Sequence, residues 1–137
     1  MSDIAGKTIR ATFFHAPAPD ALECLEAVLA VGVDGRIESV VRADEAGFAQ
    51  ASEEADLSLP AGCYVLPGFV DCHVHAPQYP QLGQALDVPL EVWLQKYTFP
   101  LEARYEDPDF ARTSYTALVE DLLASGTTTA LYFATVH

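Results

Sequence analysis

Two histidines one residue apart, His73 and His75, close the segment Pro67-Gly68-Phe69-Val70-Asp71-Cys72-His73-Val74-His75. Phe69 to His75 reads as a β-strand. Side chains along a strand alternate between its faces, so the two imidazoles point the same way and Val74 points opposite. Neutral imidazoles one pleat apart can converge on a single metal ion at about 2.0–2.1 Å per nitrogen. Imidazole suits zinc, iron and nickel alike, so the pair alone does not select the metal. A bare His-x-His spacing also fits a strand with two incidental histidines. Its frame favours the metal: Pro-Gly, two apolar residues and an aspartate precede it, and a helix and an apolar strand follow. Asp71 reads as structural, fixing the strand end by hydrogen bonds, with support of a ligand histidine as its other possible role.

The elements that must position this pair can be read outward from it. After His75, residues 76–86 contain Pro77, Pro80 and Gly83 and are expected to form a loop. Pro89 suits a first helical position, and Leu90, Trp93, Leu94 and Tyr97 fall at i, i+3, i+4 and i+7. Trp93 and Tyr97 could cover the site, but their spacing is also that of a core-facing stripe, the preferred reading. Pro100 is expected to stop that helix. A second helix starts at Asp107-Pro108, where Asp107 can cap and Pro108 fits the first turn. Its stripe is Tyr115, Leu118, Val119 and Leu122, with Gly126 as the C-terminal cap. Residues 127–136 (TTTALYFATV) are β-branched and nearly continuously apolar, as a strand buried on both faces should be.

This half is therefore a strand–helix–strand unit, with a right-handed connection expected between parallel strands. A TIM barrel repeats that unit to eight strands over roughly 250 residues, with its active site at the C-terminal strand ends, where the histidine pair sits. Two barrel strands are legible here, so these residues alone cannot close a barrel. Apolar strand and helix faces are expected to be exposed as a result.

Ahead of the pair the chain reads as β structure. Residues 8–15 are strand-like and end at Pro17 and Pro19. Residues 25–33 form a second strand meeting a two-residue hairpin signal at Asp34-Gly35, and residues 37–42 return. Residues 44–58 read as a short exposed helix or loop, and residues 63–66 as a last strand. These strands are too few for a closed barrel and predict a partial β-sandwich. The expected class is α/β: a small β-sandwich segment over residues 1–66, then the start of a TIM (β/α)8 barrel over residues 67–137.

The bulk numbers exclude several functions. The 137 residues hold 20 acidic and 7 basic side chains, a formal charge of −13. Such a surface repels phosphate backbones and anionic membranes, so neither nucleic acid nor membrane is an expected partner. No apolar run approaches the roughly 20 residues needed to cross a bilayer, and the first ten residues lack a signal-peptide pattern. Cys24, Cys63 and Cys72 are odd in number and show no Cys-x-x-Cys spacing, which suits a reducing cytoplasm and predicts small buried thiols.

The segment PGFVDCHVH resembles the opening barrel strand of the amidohydrolase superfamily, whose pattern is Pro-Gly, apolar residues, then Asp-x-His-x-His. HAPQYPQLG (75–83) and WLQKYTFPLEARY (93–105) resemble segments of the guanine deaminases, and GTTTALYFATVH (126–137) fits their second barrel strand. The likeness is strong over 67–137 and looser before it. It implies that His73 and His75 are metal ligands, usually to zinc, with iron possible. It also implies that the loop His75, Ala76, Pro77 and Gln78 borders the substrate, with Gln78 hydrogen-bonding to it. An amide offers both a donor and acceptors, which suits a mixed-polarity heterocycle edge.

The implied reaction is hydrolysis of guanine to xanthine and ammonia, by attack of metal-bound hydroxide assisted by acid–base groups. The family's remaining ligands and its proton-shuttling residue are expected beyond His137, so catalytic residues proper stay unknown. Without them these 137 residues are expected to be inactive. A homodimer is implied for the complete polypeptide. His137, at the end of the second barrel strand and pointing toward the same rim, reads as a satisfied surface or rim histidine, His15 as a structural one, and residues 102–109 as a solvated loop and helix start. Two alternatives stay open. One is an amidohydrolase acting on another purine, a pyrimidine or a triazine; the other is a non-catalytic scaffold or inert fragment.

Overall fold

The computed structural model describes residues 4–135 and residue 137. The chain divides into two compact units, Met1–Pro67 and Gly68–His137.

In the first unit, β1 (Thr8–Ala18) and β2 (Ala21–Val31) form a long antiparallel hairpin, from Thr8 opposite Ala30 to Ala18 opposite Ala21. β3 (Ile37–Arg42) pairs antiparallel with β2. A short helix, α1 (Phe48–Glu53), follows, and then β4 (Leu57–Ser58) and β5 (Tyr64–Val65) both run parallel to β1. The strand alternation places Ala11, Phe13 and Ala27 in the core, with Ile9, Leu25, Leu29 and Val65 packed against them. On the other face Arg10 reaches Glu26 at 2.7 Å.

Three expectations change here. The strands form one five-stranded sheet, not two packed layers, so this unit by itself is no sandwich. β1 does not end at Pro17; the β1–β2 register shifts between His15 and Ala18, and a proline fits such an irregularity because its missing N–H leaves no ladder bond unmade. The β2–β3 turn is also wider than two residues. Gly32 donates its N–H to the Arg36 carbonyl at 2.7 Å, and Gly35, at φ 79°, takes the left-handed position that turn requires.

In the second unit β6 (Phe69–His75) matches the expected strand and pairs in parallel with β7 (Thr127–Phe133). Gly68 lies so close to β7 that a Cβ there would collide with the Thr128 side chain. Residues 76–81 are not a loop but a 3₁₀ helix, Ala76–Gln81. Pro77 at its start needs no N–H donor, and Ala76 and Pro77, its first two residues, are buried. The next helix does not stop at Pro100. α2 (Leu90–Trp93) continues through a π-helical turn (Leu94–Thr98) into α3 (Phe99–Ala103). The wide turn makes Pro100 a first-turn residue of a new helical segment, where its missing N–H breaks no bond.

A 3₁₀ turn (Arg104–Glu106) leads to α4 (Pro108–Ala124). Asp107 caps it as expected, accepting the Asp109 N–H at 2.9 Å, and Gly126 follows its end at φ 87°. Leu118 is buried, and Tyr105 is buried between Phe110 and Tyr115, each ring centroid 5.0 Å away. β7 ends at Phe133, short of the expected boundary; Val136, assigned to that strand from sequence, lies outside the described residues. Nor is β7 buried on both faces. Leu131 is 60% exposed and Tyr132 45%, because β6 and β7 form a two-stranded sheet with α4 packed on β7. All three cysteines are exposed, the reverse of the sequence expectation; Cys24 and Cys72 lie on single sheet layers, which leave one face uncovered.

Candidate metal centre

His73 and His75 converge. Their Nε2 atoms lie 2.9 Å apart and their ring centroids 4.9 Å apart. Strand alternation alone does not produce this. Between Asp71 opposite Ala130 and Val74 opposite Tyr132, β6 carries two residues, Cys72 and His73, against the single Leu131 of β7. That mismatch is a bulge, which takes the His73 amide out of the ladder and re-aims its side chain. Asp71 Oδ1 accepts the His73 N–H at 3.0 Å, so the aspartate closes the bulge. The structural role read for Asp71 acquires a definite partner.

Phe133, in register with His75, stacks on the His75 ring at 4.9 Å and 14° and lies 4.8 Å from the His73 ring. One aromatic ring therefore limits the rotation of both imidazoles. The sequence reading missed it; the available signal was an aromatic at the β7 position in register with the second histidine of β6.

Gln78, on the 3₁₀ helix after β6, comes to His75 with its Nε2 3.5 Å from the ring Nδ1. The same nitrogen donates to Glu102 Oε1 at 3.2 Å. Glu102 sits on α3, half-buried, not in a solvated loop as its acidic neighbourhood suggested. No local spacing could have found it, because Gln78 and Glu102 are 24 residues apart. Of the other residues singled out, Trp93 donates its indole N–H to the Gln84 carbonyl at 3.2 Å and anchors the loop before α2. Tyr97 borders a hollow with Gln81 and Lys96. His137 borders an apolar hollow with Tyr115 and Leu118, and His15 lines one in the first unit with Phe13 and Leu25. Within the second unit, no described contact joins Trp93, Tyr97 or His137 to the histidine pair.

The pair passes a chemical test of fit for a divalent metal. Two nitrogens at 2.0–2.1 Å from one ion lie about 2.9–3.4 Å apart for angles between right and tetrahedral, and the observed separation falls at the short end. Both donors are imidazoles, borderline ligands suited to first-row metals. Among the described residues no group of three or more His, Cys, Asp or Glu side chains is placed to hold an ion, so this pair is the donor set available.

The amidohydrolase family model matches residues 64–137, more than half of the chain. The chain belongs to the amidohydrolase family. Within that family it is similar to the guanine deaminase of Homo sapiens, 53% identical over 74 residues that cover 54% of this chain and 16% of the human protein. A probable guanine deaminase of Schizosaccharomyces pombe is 40% identical over 130 residues, 90% of this chain and 24% of the relative. A probable guanine deaminase of Deinococcus radiodurans is 40% identical over 135 residues, 93% of this chain and 30% of the relative. The amidohydrolase chain thus spans less than a third of the length of these relatives. Its fold superposes with a TM-score of 0.67 and 29% identity on the crystal structure of a guanine deaminase from C. acetobutylicum with bound guanine in the active site, over 96% of this chain and 30% of that one.

Proposed function

We propose that this chain is the metal-binding opening of a guanine deaminase, which hydrolyses guanine to xanthine and ammonia. The convergence of the His73 and His75 Nε2 atoms to 2.9 Å carries the reading, with Gln78 beside His75. Similarity to the human guanine deaminase and to two probable guanine deaminases supports the substrate. Residues 1–66 are assigned to the N-terminal part of a small β-sandwich domain, and residues 67–137 to the first strand–helix–strand portion of a TIM barrel.

His73 and His75 would hold the ion, with zinc the first choice and iron the second. When bound, the metal supplies the Lewis acidity that makes water nucleophilic near neutral pH. This chain's own residues bind and orient. Asp71 and Phe133 hold the two imidazoles in the converged arrangement, the first through the backbone and the second through the rings. The segment His75-Ala76-Pro77-Gln78 borders the ligand. Ala76 and Pro77 are buried and set the path of the backbone from beneath, which leaves Gln78 to hydrogen-bond the heterocycle. The remaining donors and the proton-transferring group are assigned outside residues 1–137.

A homodimer and a cytoplasmic location belong to the same reading. Among the described residues no helix is long and apolar enough to cross a membrane. The test is made on the complete polypeptide, loaded with zinc and given guanine while xanthine formation is followed. Turnover that disappears, together with bound zinc, in His73→Ala and His75→Ala is expected. A zinc-loaded protein that leaves guanine untouched and hydrolyses another purine, a pyrimidine or a triazine would move the assignment within the family; one that binds no metal would leave a scaffold.

A further inference from the structure

We propose that Glu102 is a positioning residue: it decides which end of the Gln78 amide is offered to the ligand, and so sets the site's preference for a donor-bearing ring edge. The inference rests on the reading of Gln78 as a ligand contact given above.

A carboxamide has two ends of nearly equal size and opposite hydrogen-bonding character, and left alone it can present either. A carboxylate can only accept hydrogen bonds. Because Glu102 Oε1 stands 3.2 Å from Gln78 Nε2, the NH₂ end of the amide is the end that must face it. Gln78 Oε1 takes no hydrogen bond from any described residue. The carbonyl oxygen is therefore the free end, and it selects a heterocycle edge that carries N–H groups. An edge offering a bare ring nitrogen or a carbonyl oxygen there would meet a like dipole.

Glu102 is also free to perform this task. It forms no ion pair among the described residues, although Arg104 is its near neighbour in sequence, because the Arg104 guanidinium lies 4.0 Å over the Phe110 ring instead.

Two measurements on the complete polypeptide test this. The first needs no catalysis: the Gln78 side-chain amide signals are assigned by NMR in the wild type and in Glu102→Gln. Two well-separated, slowly exchanging N–H signals are expected in the wild type, moving toward free-amide positions in the variant. Identical signals in both proteins would overturn the inference. The second is kinetic. Glu102→Gln is expected to raise KM for guanine about tenfold with kcat nearly unchanged and zinc content intact, as befits one misdirected hydrogen bond.

Gln78→Glu places two carboxylates face to face and is expected to lower kcat/KM about a hundredfold. The double variant Gln78→Glu/Glu102→Gln restores one donor–acceptor pair and still offers an oxygen to the ligand. It is expected to recover to within about threefold of the wild type. A double variant no better than Gln78→Glu would overturn the inference, since a residue that only fills space gives no reciprocal rescue. If the wild type does not turn over guanine, the functional reading fails, while the NMR comparison still decides whether Glu102 orients Gln78.

Discussion

Replacing Asp71 by alanine should weaken metal binding without unfolding the protein, and the size of the loss can be worked from the bulge in β6. Asp71 Oδ1 is the partner of a His73 N–H that the bulge has removed from the β6–β7 ladder, at 3.0 Å. A hydrogen bond to a carboxylate contributes roughly 1.5–3 kcal/mol when enclosed. Asp71 is half-buried, so water replaces part of it and about 1–1.5 kcal/mol is the expected loss. If that energy holds His73 in the aim required for binding, zinc affinity falls about five- to tenfold. That lies at the lower edge of what removing a ligand-orienting group usually costs. Asp71→Asn keeps an oxygen at the Oδ1 position and should lose about twofold or less. The assay is competition for zinc against a chromophoric chelator, with thermal unfolding in parallel to show that the fold persists. The reasoning is refuted if Asp71→Ala binds zinc as tightly as the wild type, or if Asp71→Asn loses as much as Asp71→Ala.

The same arrangement supports four further expectations. Phe133→Leu should weaken zinc binding about three- to tenfold, and Phe133→Tyr should leave it nearly unchanged, because aromatic stacking contributes roughly 0.5–1.5 kcal/mol and tyrosine retains the ring. Thr98, 1% exposed, accepts the Gln81 Nε2 hydrogen bond at 2.8 Å; Thr98→Val should cost about 1–3 kcal/mol in urea unfolding by stranding a buried amide, and Thr98→Ser should cost less. The Thr8 backbone N–H, and then its hydroxyl, hold the Asp56 carboxyl below the ordinary value of 3.8. Its contribution is therefore present above that value and lost as pH falls through the lower folded one, with amide exchange at Thr8 speeding up on that side and an Asp56→Asn variant showing no such step. The hydrogen bond to Asp121 raises the Tyr79 phenol above 10.0, so this link between the 3₁₀ helix and α4 persists through pH 10 and is lost as pH rises past the raised value. Ultraviolet titration of the wild type is expected to show a late-ionising tyrosine that Tyr79→Phe lacks.

Much of the local structure was legible because it depends on neighbours in the chain. The Phe69–His75 strand and the Asp107 cap came out where residue types and spacing placed them. Proline was the least reliable sign. Pro17, Pro77 and Pro100 each read as breakers, yet each sits where no N–H was needed: at a register shift, at a helix start and just past a π-helical turn. Whether a backbone N–H is needed at a given point is decided by the partner strand or the preceding turn, which a linear pattern does not contain.

The histidine pair shows the division most directly. The sequence by itself determined that two imidazoles would share one face, since a period of two is a property of the strand alone. It also determined that a helix and then a β-strand would follow them. Only the tertiary structure decided that their Nε2 atoms approach to 2.9 Å, because that depends on a bulge defined against β7 and on the ring of Phe133 in the neighbouring strand. Only the tertiary structure, likewise, brought Glu102 to Gln78 across 24 residues. Contacts of that kind arise from packing between elements, and no periodicity within either element encodes them.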